Sequence, residues 1–195
     1  MRIIAGSAKG KTLISPPDTR TRPTSDRARE GLFSSLDSEF ESLVGLNFLD
    51  LFAGSGAVGV EAYSRGAAVV HAVESEGDMG NVAISNFQLV KSAAGSYRVF
   101  HTKVDRFLES DHAGEKGRYD IIFMDPPYEI SNEDITELLM IINERKLIQP
   151  RGMITIERRS KNKPFDWPQG MSCEKVRSYG QGSMFYGGYS ASVLP

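Results

Sequence analysis

The residues best suited to chemistry are Asp125-Pro126-Pro127-Tyr128, which follow the apolar run Ile121-Ile122-Phe123-Met124. The run has the character of a buried strand. It stops in a carboxylate, two prolines and an aromatic ring. Each proline fixes φ and lacks an N–H, so its carbonyl is left to accept a bond from something else. The Asp125 carboxylate and the Pro126 carbonyl together suit both hydrogens of an –NH2 group. Tyr128 suits stacking on the flat ring that carries such an amine. The competing reading is an ordinary strand end followed by a proline stop.

A second stretch, Phe52-Ala53-Gly54-Ser55-Gly56-Ala57-Val58-Gly59, follows the strand Phe48-Leu49-Asp50-Leu51-Phe52 and opens a helix. Glycines there let the backbone turn tightly and approach a ligand at a helix N-terminus. Gly54-x-Gly56-x-x-Gly59 satisfies the dinucleotide fingerprint. Glu74, twenty residues past Gly54, is placed to accept bonds from two ribose hydroxyls, with Ser75 beside it. The nicotinamide dinucleotides and S-adenosylmethionine both carry that ribose. Asp50 favours the second, because an acid just before the loop suits a methionine ammonium and repels a pyrophosphate. An amine clamp also serves methyl transfer and has no use in hydride transfer. The turn Thr102-Lys103-Val104-Asp105 is expected to meet the adenine edge. Asp105 is a candidate acceptor there, the alternative being an acid favoured by the helix dipole.

The elements that must position these residues follow from the apolar pattern. Strands are predicted near 47–52, 68–74, 97–101, 119–125 and 151–157, with helices near 57–65, 77–92, 104–110 and 132–145. Such alternation calls for a largely parallel sheet covered on both faces, an α/β fold. Residues 2–6 and 11–16 read as a β-hairpin. Thr24 or Ser25 is a natural N-cap for a helix over about 25–36, with Ala28, Leu32 and Leu36 on one face. Residues 173–179 and 183–189 read as a terminal hairpin. We expect one domain over 1–195, with a hairpin and basic arm in 1–24 and the catalytic core in 25–195.

The chain of 195 residues is 40% hydrophobic and 25% charged, ordinary for a soluble protein. No apolar run approaches the roughly 20 residues that span a bilayer, and Met1-Arg2-Ile3-Ile4-Ala5-Gly6 is too quickly polar for a signal peptide. The single Cys173 fits a reducing cytoplasm, and His71, His101 and His112 lack metal-ligand spacing. Charge is uneven along the chain. Residues 1–30 carry seven basic against three acidic side chains, residues 31–142 seven against eighteen, and residues 143–195 nine against four. Basic ends around an acidic centre suggest a local polyanion footprint. Lys9, Lys11, Arg22, Arg27 and Arg29 are candidate phosphate contacts, and Arg158, Arg159, Lys161 and Lys163 could extend that surface. For Arg27 and Arg29 the alternative is an internal ion pair with Asp26, Glu30 or Glu157.

Taken in order, Arg22-Pro23-Thr24-Ser25-Asp26-Arg27-x-Arg29-Glu30-x-Leu32-Phe33, the Asp50 strand with its glycine loop, Glu74 and Asp125-Pro126-Pro127-Tyr128 resemble the bacterial 16S rRNA guanine-N2 methyltransferases of the RsmD type. The resemblance runs from Met1 to the final hairpin. It implies a class I, Rossmann-like S-adenosylmethionine-dependent methyltransferase with a seven-stranded sheet, an antiparallel last strand and a small N-terminal hairpin. It implies methyl transfer to the N2 amine of one guanine in 16S rRNA or an assembling small subunit, by a cytoplasmic monomer without a metal. Asp125, Pro126 and Tyr128 would be catalytic. Asp50, Phe52, Gly54, Gly56, Glu74, Ser75 and Thr24 would border the cofactor. Two departures stand out: the first hairpin's turn is Ser7-Ala8-Lys9, without the family's aromatic and basic residues, and alignment on Phe107-Leu108 sets Lys103 where the family often has Asp or Asn. The backbone N–H of Val104 therefore replaces Asp105 as the candidate adenine contact. Adenine N6 as the acceptor, or a non-catalytic RNA-binding module, remain the alternatives.

Overall fold

A computed structural model describes residues 1–15, 26–91, 94–159, 165–179 and 182–190. Five helices and seven strands alternate along them: α1 (Asp26–Phe40), β1 (Asn47–Leu51), α2 (Ala57–Ser64), β2 (Val69–Glu74), α3 (Gly77–Phe87), β3 (Ser96–His101), α4 (Val104–Glu109), β4 (Tyr119–Met124), α5 (Asn132–Glu144), β5 (Ile148–Arg159), β6 (Met171–Tyr179) and β7 (Gly182–Tyr189). The strands form one sheet in the order β3-β2-β1-β4-β5-β7-β6. β1 to β5 are parallel, and β7 lies antiparallel between β5 and β6. Successive strands step outward from β1 through β2 to β3, then from β4 to β5 on the other side. The order therefore reverses between β1 and β4. In open α/β sheets the crevice beyond the strand ends at such a reversal is where ligands bind.

Each strand feeds two cores because successive side chains point to opposite faces. Phe48, Ile121 and Phe123 pack with Leu32, Phe33 and Leu36 of α1 and with Val58, Val60 and Ala62 of α2. Leu49, Leu51, Ile122 and Met124 pack on the other face with Phe107 and Leu108 of α4 and Ile135, Leu139 and Ile142 of α5. α5 starts at a capping box in which the Ser131 hydroxyl accepts from Asp134 N–H and the Asp134 carboxylate accepts from Ser131 N–H. Its buried Ile135, Leu138, Leu139 and Ile142 recur at the spacing of one helical face.

Elements agree with the sequence pattern except at their ends and in the N-terminal hairpin, where the expected extended runs form only one bridge, Arg2 with Thr12, among the described residues. α3 stops at Phe87, short of 92, and β5 begins at Ile148 because Ile148 pairs with Tyr119 before a register shift. The expected N-cap, Thr24 or Ser25, lies outside the described residues.

The N-terminal hairpin, closed by Ile3 N–H to Lys11 O (2.9 Å) and Gly10 N–H to Ile3 O (2.8 Å), shares the main core through Ile3, Ala8 and Leu13. Buried Glu61 of α2 fastens it by accepting from the N–H groups of Ile4 (2.7 Å) and Ala5 (2.9 Å). Gly6, at φ +79°, approaches α2 so closely that a Cβ would lie 1.9 Å from the Ser64 carbonyl oxygen. Only glycine fits there.

On the α4 side, His71 of β2 is 3% exposed and boxed by Phe100, Phe107 and Tyr119. The Tyr119 hydroxyl lies 2.7 Å from His71 Nδ1, and a neutral ring nitrogen accepts from it. Burial pushes the imidazole down to about 4. In the unfolded chain the ring takes up its proton near 6.5, so the native state is penalised as pH falls from about 6.5 toward 4. Relative to His71→Gln, the wild type should lose on the order of 3 kcal/mol of unfolding free energy between pH 7.5 and pH 4. Urea denaturation of both proteins across that range measures it. Parallel curves for the two would show that His71 does not carry the effect.

Candidate functional site

The carboxyl ends of β1, β2 and β4 open into a cavity of about 910 Å³. Asp50, Phe52, Gly54, Glu74, Ser75, Val104, Asp125, Pro126 and Tyr128 all line it. The register explains why. Asp50 stands opposite Phe123 on β4 and Ala72 on β2, so Asp125 and Glu74 each lie two residues farther along a neighbouring strand. Asp50 and Asp125 share the α1 face with Phe48 and Phe123.

Asp50 is 1% exposed and accepts from Gly59 N–H at 2.8 Å. Burial pushes its carboxyl up to about 7. Gly59 works against that shift, while the charges of Asp125 and Glu74 add to it. The site thus holds a buried acid that ionises readily only when a cation comes beside it. Gly59 itself is packed so tightly that a Cβ would meet Asp50 Oδ2 and the Phe87 ring, both at 3.0 Å. Its absence of a side chain lets α2 close on β1 and deliver the hydrogen bond.

The loop between β1 and α2 is shaped by three left-handed backbones: Phe52 at φ +61°, Gly54 at +54° and Gly56 at +75°. For Phe52, a non-glycine residue, that conformation costs on the order of 1 kcal/mol. Gly54 N–H donates to Glu74 Oε2 at 2.7 Å, and Glu76 N–H to Glu74 Oε1 at 2.8 Å. Each oxygen keeps a lone pair, enough for two ribose hydroxyls. Gly56 caps α2 and turns toward Ala83, so it shapes the loop without lining the cavity.

Val104 begins α4 and borders the cavity with Lys103 and Asp105, whose carboxylate accepts from Arg106 N–H at 2.8 Å. A nucleoside with a cationic tail fits this arrangement: acid for the cation, acid for the ribose, and a strand-to-helix turn for the base edge.

At the end of β4, Asp125 N–H reaches Leu51 O at 3.4 Å and Ile130 N–H closes a turn on Pro127 O at 3.1 Å. Pro126 is buried and Tyr128 is 54% exposed. A large ring on the cavity wall is thus left open to solvent.

The basic candidates divide. Arg22 and Thr24 lie outside the described residues. Lys9 and Arg27 are exposed, and Lys11 is exposed with its Nζ donating to Leu89 O at 2.6 Å. Arg29 is corrected: it is wholly buried, bonding to Arg2 O and to Asp26 Oδ1 at 3.1 Å. The one-face spacing of α1 turns it inward, so it ties the hairpin to α1 and offers nothing to a phosphate. Arg158 is likewise corrected from surface charge to interior. It is 6% exposed, lines the cavity, and donates to Ile130 O and Asn132 Oδ1.

Sequence reasoning also missed Ala28, Met79, Glu157, Tyr179 and Gly182 in the cavity wall. Glu157, Tyr179 and Gly182 come from strands distant in sequence, Met79 from α3 just past Glu74 and Ala28 from α1, and no motif marks them. Among the described residues, no group of three or more His, Cys, Asp or Glu could hold a metal ion, and no helix is long and apolar enough to cross a membrane.

A cationic ligand held against Asp50 favours the ionised carboxylate, so binding below about pH 7 must release a proton. The affinity for S-adenosylmethionine should therefore rise as pH increases from 5.5 to 7, by up to about tenfold per pH unit, and level off above. Asp50→Asn should bind more weakly and lose that slope. Calorimetric titration in buffers of different ionisation enthalpy reads both, and a pH-independent wild-type affinity would contradict the pairing.

Among known proteins, the chain is 32% identical over 182 residues to the "Ribosomal RNA small subunit methyltransferase D" of Escherichia coli K12, covering 93% of this chain and 86% of that one. It is 29% identical to the protein of the same name from Haemophilus influenzae, over 92% of this chain and 89% of that one. The solved structure of Escherichia coli yhhF, described as a putative methyltransferase, superposes with a TM-score of 0.81 at 29% identity, covering 98% of each chain. The sheet order, the reversal at β1 and β4 and the antiparallel β7 are thus those of a methyltransferase fold. With residues 1–187 matched by its model, the chain belongs to the family described as Conserved hypothetical protein 95.

Proposed function

We propose that this protein transfers a methyl group from S-adenosylmethionine to the exocyclic N2 amine of one guanine in small-subunit ribosomal RNA. The observation that carries the reading is the placement of Asp125 and Pro126 beside the Asp50–Glu74 cavity, with Tyr128 standing at its lip. The relatives named as small-subunit rRNA methyltransferases supply the substrate class. A structure of magnesium protoporphyrin IX methyltransferase from Synechocystis with bound S-adenosylmethionine shares the fold at a TM-score of 0.61 and 14% identity.

When bound, S-adenosylmethionine supplies an electrophilic methyl group on its sulfonium. The chain's own residues do the rest. Asp50 holds the ammonium and Glu74 the ribose hydroxyls, with the Val104 N–H at the adenine edge. The target base must leave its stack, at a cost of a few kcal/mol unless it already lies in a loop. Tyr128 stacks on the extruded base, a contact worth about 1–3 kcal/mol in other stacked-base complexes.

The Asp125 carboxylate and the Pro126 carbonyl accept the two amine hydrogens, which turns the nitrogen lone pair toward the incoming methyl. Guanine N2 is a poor nucleophile because that lone pair is delocalised into the ring. Positioning is therefore the main contribution of the clamp. As the N–C bond forms, the methyl–sulfur bond breaks with its electron pair left on a neutral thioether, S-adenosylhomocysteine, and the nitrogen's now acidic proton passes to Asp125 or to water. Lys9 and Arg27, exposed beside the N-terminal hairpin, add sequence-independent phosphate contacts.

Asp125→Ala should reduce methyl transfer at least a hundredfold while S-adenosylmethionine affinity stays within about twofold, since Asp50, Glu74 and the glycine loop hold the cofactor. Loss of cofactor binding would sink that division of roles. Mass spectrometry of 16S rRNA from a deletion strain should show one N2-methylguanine missing. Unchanged rRNA, or a missing N6-methyladenine, would refute guanine N2 as the acceptor.

A further inference from the structure

The clamp's own sequence creates a mechanical problem. Pro126 and Pro127 have no N–H, so the segment that carries the Pro126 carbonyl and Tyr128 cannot fix itself by donating hydrogen bonds there. It is held at its start by Asp125 N–H on Leu51 O, and its turn is closed by Ile130 N–H on Pro127 O. A donor from outside that reaches the segment's carbonyls would hold its far side.

Arg158 is that donor. β5 runs parallel to β4, with Ile156 beside Met124, so Arg158 lies two residues past the last pair, alongside the clamp. Its side chain takes the face of Ile154 and Ile156, under the start of α5. From there Nη2 donates to the Ile130 carbonyl at 2.9 Å and to Asn132 Oδ1 at 3.2 Å. Arg158, 6% exposed, lies in the cavity wall, and among the described residues no carboxylate pairs with it. A buried cation with only neutral acceptors is costly. Surface charge does not account for it, and neither does an ion pair. Burial lowers its basicity accordingly.

We propose that Arg158 is the positioning residue of the amine clamp: its two hydrogen bonds to Ile130 and Asn132 set where Tyr128 and the Pro126 carbonyl stand relative to the cofactor. Charge-assisted donors hold geometry more tightly than neutral ones. The residue acts through the segment and touches no reacting atom. The assignment rests on methyl transfer at this cavity and does not depend on which planar amine is methylated.

The test compares wild type, Arg158→Ala and Arg158→Lys. Hydrogen exchange reads the segment directly, through the amides of Ile130 and Ser131, which are bonded to Pro127 O and Asp134 Oδ2. Arg158→Ala should exchange at least about tenfold faster there, with Gly54–Gly59 unchanged. Arg158→Lys, a point charge that reaches one acceptor, should be intermediate.

In transfer assays normalised to cofactor-binding protein, kcat should fall about a hundredfold in Arg158→Ala, as for a misplacement near 1 Å. KM for RNA and S-adenosylmethionine affinity should change less than about threefold, and added guanidinium ion should restore part of kcat. Unaltered exchange at Ile130 and Ser131 overturns the proposal, whatever the assay shows. So does faster exchange spread evenly over the whole sheet, which marks a role in global stability. Absence of guanine-N2 transfer by the wild type would refute the proposed acceptor and leave Arg158 to be decided by the exchange result.

Discussion

Three carboxylates converge at the carboxyl ends of three adjacent strands, and the innermost of them, Asp50, is buried. That crowding is the constraint on which the rest of the site depends. Asp50 is desolvated, faces the charges of Asp125 and Glu74, and has the Gly59 N–H in opposition. Left to itself the group prefers its proton. A cation placed beside it removes the penalty, which makes the cavity selective for a ligand with a positive charge next to a ribose.

The glycines follow from the same requirement. Gly59 is small so that α2 can sit close enough to β1 for its N–H to reach Asp50. Gly54 turns its N–H onto Glu74, so one loop organises both acids. The acceptor side is built differently. There the chain dispenses with N–H groups by using two prolines and relies on a buried arginine from the next strand to hold the turn. One half of the site is preorganised by backbone donors from the β1–α2 loop, the first turn of α2 and the turn after β2. The other half is preorganised across two strands.

The N-terminal hairpin shows how a surface motif can become structural. The basic sequence of residues 1–30, hairpin included, reads as an RNA arm, and Lys9 and Arg27 are exposed. Arg29 instead turns inward, and Glu61 anchors the backbone of Ile4 and Ala5. The hairpin is thereby tied to α1 and α2, which also border the cavity through Ala28, Ala57 and Val58.

The sequence by itself determined the strand and helix alternation, the glycine loop with Asp50 and Glu74, and the clamp at Asp125. It could do so because each is a local pattern: apolar periodicity, glycine spacing, or a proline pair after a buried strand. Tertiary structure alone decided which charges are interior. Arg158 looks like any other arginine in the sequence, and Arg29 stands open there between a phosphate contact and the internal pair with Asp26 that the structure shows; the packing of α1 on the hairpin and of β5 beside β4 removes both from water. The depth of Asp50 and the contributions of Tyr179, Gly182 and Glu157 to the cavity wall belong to the same class. They arise where residues far apart in the chain meet across the sheet, and local sequence carries no record of such a meeting.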